Sequence, residues 1–130
     1  MPDLNLAAVL LSAVVAFVLG GGYYAVLGEQ LAEVSEVAAA RERMAPWEIG
    51  VELARCLVLA TVVAGFAVRG EIDAWISGLV LGAVLWIGFP LVLWTGAVVH
   101  ERTPVKLAAI HAGDWLVKLL VVALIVSVWQ

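Results

Sequence analysis

Apolar positions along the chain gather into four long runs, about 6–27, 47–68, 74–99 and 105–129, parted by short polar stretches. At a helical rise of 1.5 Å per residue, each run can cross a hydrocarbon core of roughly 30 Å. The pattern predicts an all-α integral membrane protein, an antiparallel up-down four-helix bundle, with residues 1–130 forming a single four-span domain. The first run has Asp3 before it and no Lys or Arg. It therefore lacks the positive region of a signal peptide and reads as a retained span.

The interruptions have their own signatures. Gly20, Gly21 and Gly22 fall near the end of the first run, just before Tyr23 and Tyr24, and are expected to loosen it. Between 29 and 45, Leu31, Val34 and Ala38 can share one face and Glu29, Glu33 and Glu36 another. Such a segment is either a short amphipathic helix lying at the interface or a solvated connector. Pro46 suits the first turn of the second span, where its missing N–H costs nothing. Pro90 should kink the third span. Thr103 and Pro104 read as N-cap and first position of the fourth. Ala74, Gly78 and Gly82 recur every four residues, a small-residue stripe that lets two membrane helices approach closely and predicts a homo-oligomer built on it.

Composition agrees with a membrane setting. The 130 residues are 65% hydrophobic and 14% charged, with a mean hydropathy of +1.09, against roughly 25% charged in soluble domains. A net charge of −4 argues against nucleic acid, which needs a basic face. Cys56 stands alone inside an apolar run, so there is no disulfide framework, and it reads as a small buried apolar residue. Lys and Arg are unevenly spread: Arg41, Arg43, Arg102 and Lys106 lie in or beside the first and third connections, Arg69 in the second. The positive-inside bias puts those two connections in the cytoplasm and both termini outside, in a bacterial inner membrane.

Six charged or titratable residues lie where lipid is expected: Glu48, Glu52 and Arg55 in the second span, His111, Asp114 and Lys118 in the fourth. A charge at a span's centre costs roughly 2.5–3.5 kcal/mol on insertion scales, so such residues face one another or a wet cavity. Each trio falls within a sector of about 60° on its helix. Arg55 and Asp114 are both about 12–13 Å in from their helix starts. In an up-down bundle one leaflet then gathers Tyr23, Tyr24, Trp47, Glu48, Glu52, Arg55, Trp94, His111, Asp114 and Trp115, with Lys118 and Trp86 deeper. The expectation is a polar pocket opening towards the cytoplasmic side.

A carboxyl group in an apolar cavity favours its neutral, protonated form, which makes Glu52 or Asp114 the expected proton donor. His111, Arg55 and Lys118 would tune or relay the proton. Tryptophan faces stabilise cations, and Trp47, Trp94, Trp115 and the deeper Trp86 would line the cavity with Tyr23, Tyr24 and Glu48. This suits acid/base chemistry on a hydrophobic, isoprenoid-like molecule, such as epoxide opening or cyclisation. Two other readings share the residues: a proton-coupled or small-molecule carrier, and a structural subunit locked by ion pairs, Glu52 with Arg55 and Asp114 with Lys118. No phosphate loop, zinc spacing or serine-nucleophile motif occurs, so neither metal nor cofactor is expected.

The glycine-rich stretch leading to Tyr23-Tyr24, and His111-Ala-Gly-Asp-Trp-Leu-Val-Lys-Leu-Leu in the fourth span, resemble the small four-span bacterial membrane proteins grouped as DUF1761. That resemblance implies the fold and the membrane and no activity. By architecture the chain also resembles small membrane-bound terpene cyclases, an analogy of fold and not of site.

Overall fold

A computed structural model describes residues 3–40 and 44–130. The helices are α1 (Leu6–Val34), α2 (Glu36–Ala40), α3 (Pro46–Arg69), α4 (Trp75–Gly88), α5 (Pro90–His100) and α6 (Val105–Val128). With α4 and α5 in line, four helical stretches are long and apolar enough to cross a membrane: Leu6–Val34, Pro46–Arg69, Trp75–His100 and Val105–Val128. The chain is an all-α four-helix bundle and a multi-pass membrane protein.

Local chemistry explains most boundaries. Asn5 caps α1 by accepting the Ala8 N–H through its side-chain oxygen at 3.1 Å, and α3 begins on Pro46 as expected. The third span is more than kinked. Phe89 leaves helical geometry (φ −122°, ψ −75°), because the Pro90 ring has no N–H to donate and crowds the carbonyl four residues back. Two expectations about these boundaries need correction. Gly20–Gly22 do not loosen the first span, since α1 runs unbroken through them to Val34 and so takes up the start of the 29–45 segment. Arg41 and Arg43 lie outside the described residues. Pro104, not Thr103, sits at the N-cap of α6, and no side chain caps that helix.

The bundle is organised around α6, which packs against α1, α3, α4 and α5. The approach to α4 is closest. A methyl group on Gly78 would come within 2.8 Å of the Ser127 side chain, and one on Gly82 within 2.7 Å of the Leu119 carbonyl oxygen. The small-residue stripe thus works inside the chain, holding α4 to the backbone of α6. Gly78 and Gly82 are buried there, while Ala74 is exposed and caps α4. The stripe is not a free face for a second copy, which corrects the predicted basis for oligomerisation. Alanines at the α1–α3–α6 contacts (Ala13, Ala16, Ala60, Ala64, Ala123) do similar work. The ends are tied too: Gln130 donates to the Ile72 carbonyl at 2.6 Å, and Lys106 forms an ion pair with Glu33.

Candidate functional site

Where α1, α3 and α6 meet, four charges form a linear chain across two helices. Lys118 Nζ lies 2.9 Å from Asp114 Oδ2 on its own helix and 3.2 Å from Glu52 Oε1 on α3. The other oxygen of Glu52 accepts from Arg55 Nη1 at 2.6 Å. Side-chain exposure rises along the series, from 5% at Asp114 and 7% at Lys118 to 22% at Glu52 and 56% at Arg55. The inner pair is dry and the outer pair opens outward. Lys118 thus serves its own Asp114 and the second span together.

Two features of this cluster carried no polar signal in the sequence. Gly20 provides the seat for Lys118, since a methyl group there would meet Lys118 Cε at 2.9 Å. The buried Cys56 points its thiol at Glu52 Oε1 at 3.8 Å, one turn along α3.

Beside the charges lies an aromatic group. The Tyr24 hydroxyl and His111 Nδ1 share a 2.6 Å hydrogen bond. The imidazole stacks on Trp94 with ring centroids 5.0 Å apart and planes at 16°. Tyr23 meets Tyr24 edge to face at 5.4 Å and donates to the Ile110 carbonyl at 2.5 Å. Tyr23, Tyr24, Trp94 and His111 are thus brought together, clamping α1 and α5 to the start of α6. Trp94 Nε1 is buried without a partner among the described residues. Other predicted lining residues go elsewhere. Trp47 is 70% exposed on the bundle's outside, as the first-turn position of α3 allows, and does not join the group. Trp86 spends its indole N–H on the Ala112 carbonyl at 2.8 Å, a strut between α4 and α6. Glu48 sits in the first turn of α3, half-buried and engaged.

Trp115 faces a different space. A cleft of about 710 Å³ opens between α3 on one side and α4–α5 on the other, and α6 forms its floor. Leu59, Val62, Val63 and Phe66 make one wall. Leu85, Gly88, Phe89, Pro90, Val92 and Leu93 make the other, with Trp115 and Leu119 beneath. The break at Phe89–Pro90 stands in that wall. The sequence reading missed the cleft because all its lining is apolar and looks like lipid-facing surface. One signal was available: Glu52, Arg55, Leu59, Val62 and Phe66 follow the i, i+3, i+4 spacing of a single helix face. Glu52 and Arg55 therefore share the α3 face of the cleft wall, one to two turns before Leu59, without lining the cleft themselves.

Among the described residues, no three His, Cys, Asp or Glu side chains converge as a metal site requires. The fold and this cluster define a class: a small four-span membrane bundle with a charge chain set beside an apolar cleft. Residues 7–127 match the family described as protein of unknown function DUF1761, and the chain belongs to that family. Neither a curated protein nor a solved structure matches it.

Proposed function

We propose that the protein binds a hydrophobic, isoprenoid-like small molecule within the membrane and carries out acid/base chemistry on it. The observation that carries this reading is the shared face of α3, where the Glu52–Arg55 pair lies one to two turns before Leu59 in the wall of the apolar cleft. Pockets that hold small molecules are mostly apolar with few polar groups converging at one end, and a cleft of about 710 Å³ is of that size. Glu52 is the carboxylate on the cleft side, so proton transfer to or from the ligand falls to it. Asp114 lies behind Lys118, and His111 is held by Tyr24 and Trp94. Trp115 on the cleft floor offers an aromatic face to a developing cation.

A structural reading also has an observation in its favour, the burial and full pairing of Asp114 and Lys118. The carrier reading has less support. Beyond Arg55 and Lys118, and short of Arg69 at the very end of α3, the far halves of α3 and α6 hold only the hydroxyls of Thr61 and Ser127 as polar side chains, apart from the Cys56 thiol. The Thr61 hydroxyl is bonded back to the Leu57 carbonyl.

We place the protein in a bacterial inner membrane with both termini outside. Support comes from Arg102 and Lys106, which lie in and beside the third connection, at the end of the bundle where the Lys106–Glu33 ion pair joins the start of α6 to the end of α1.

Native mass spectrometry of protein released from mild detergent tests the binding reading. Gly88 lines the cleft and nothing lies within 4 Å of where its Cβ would be, so Gly88→Phe is the variant chosen to obstruct the cleft. Gly28 is equally unobstructed and lies far along α1, which makes Gly28→Phe the control. A lipophile carried by the parent and by Gly28→Phe, and absent from Gly88→Phe, is the expected result. Retention of the same lipophile by Gly88→Phe overturns the reading.

A further inference from the structure

Resting on the reading that the cleft holds a lipophile, we infer that its ligand is an uncharged amphiphile whose head is a hydroxyl or carbonyl group. A phosphate or ammonium head on the same tail is refused. The inference comes from charge balance and from the hydrogen-bonding capacity left at the cleft rim.

The rim is electrically complete. Asp114, Lys118, Glu52 and Arg55 sum to zero, and each charge has an opposite neighbour at 2.6–3.2 Å. Lys118 is shared by two carboxylates, and Glu52 by two cations. Glu48 lies one turn nearer the start of α3 and is engaged in its own right. His111 is bonded to Tyr24. With these charges balanced, an anionic head meets an Arg55 already shared with Glu52, and a cationic head meets a Glu52 already shared with Arg55 and Lys118. Neither finds an uncompensated opposite charge to offset the loss of its own hydration.

Hydrogen-bonding capacity remains all the same. A guanidinium has five N–H donors, and Arg55 spends Nη1 on Glu52 while its side chain stays more than half exposed. A carboxylate has about four lone-pair positions, and those of Glu52 take Arg55, Lys118 and weakly Cys56. The rim thus offers donors from Arg55 and a remaining acceptor position on Glu52. A hydroxyl uses both and a carbonyl uses the first, and neither disturbs an ion pair. Below the rim, Leu59, Val62, Phe66, Leu93 and Trp115 present the apolar walls that a prenyl or alkyl tail requires.

Farnesol and farnesyl phosphate share one tail and differ only in the head, so they isolate this inference. Radiolabelled samples of each are titrated into nanodiscs carrying the full chain, and uptake by empty nanodiscs of the same phospholipid is subtracted. Saturable farnesol binding, with farnesyl phosphate at least about tenfold weaker, is the expected result for the parent. Gly88→Phe removes the saturable part for both. Glu52→Gln leaves the rim with one net positive charge and shifts the preference towards the phosphate. Should farnesyl phosphate bind the parent as tightly as farnesol, the neutral-head inference falls while the cleft reading stands. Uptake no greater than in empty nanodiscs, as when phospholipid chains fill the cleft, overturns both, and so does saturable uptake that survives Gly88→Phe, because the site would then lie elsewhere.

Discussion

The two ion pairs of this bundle are alike on paper and unlike in place. Asp114–Lys118 is an i, i+4 pair on α6, and Glu52–Arg55 an i, i+3 pair on α3. Both lie at similar depth and both neutralise themselves within one helix. Yet the first is almost wholly buried against Gly20, while the second opens outward, on the α3 face that continues into the cleft wall at Leu59. The inner pair has no room for a ligand and can hold only helices. The outer pair has spare hydrogen-bonding capacity beside an apolar space. Equal charge content can thus divide into a fastening and a working surface, and Lys118, bonded to Glu52, is the joint between them.

Lys118→Met breaks this division most severely. It leaves Asp114 in a dry site with no cation and deprives Glu52 of one of its two. Breaking a buried pair by removing one partner costs about 3–5 kcal/mol, expected as a large fall in melting temperature in detergent. Adding Asp114→Asn to Lys118→Met removes the stranded charge, and the double variant should recover much of that loss. If the double variant is no better than Lys118→Met alone, the inner pair is not the fastening described here.

How the pairs divide could not be read from spacing. The sequence shows the four spans, the shared face of each polar trio and their common depth, because helical period and apolar run length report directly on those. It does not show which element stands at the centre. Gly78 and Gly82 look the same whether they meet α6 or a second copy, and only the burial of α6 among four neighbours decides it. Gly20 looks like a weak point in α1 until Lys118 is seen resting on it. Trp47, Trp86, Trp94 and Trp115 are four equal candidates by composition, and they end in four different places: outside the bundle, in a strut, on an imidazole and in the cleft floor. Their fates depend on contacts between spans, which no single-helix pattern encodes.

Asp114→Asn comes next in size. Lys118 keeps Glu52 at 3.2 Å, so its charge is not stranded, but it loses the shorter, drier bond. A loss of about 1–3 kcal/mol is expected for a buried group left incompletely paired, again read as thermal stability. Glu52→Gln should cost less, about 1 kcal/mol, since Lys118 retains Asp114 and Arg55 is exposed enough to be solvated or to reach the headgroups. An Asp114→Asn effect no larger than that of Glu52→Gln would erase the distinction between the pairs.

Arg55→Gln should change stability least and binding most, and that opposition makes it the sharpest probe. Its guanidinium is more than half exposed and its one ion pair among the described residues is to Glu52, and exposed pairs are worth about 0–1 kcal/mol. Melting of the variant should therefore fall close to the parent's. Glu52 keeps Lys118 when Arg55 is gone, so the inner fastening is undisturbed and the bundle has no cause to loosen. The rim, however, loses the donors that meet the ligand's oxygen, and farnesol binding in nanodiscs should weaken by about tenfold, the equivalent of 1.4 kcal/mol. A variant that melts with the parent and binds like it would show that the outer pair is idle. One that melts far below it would show that Arg55 is a fastener too, and that the bundle does not separate holding from working at this joint.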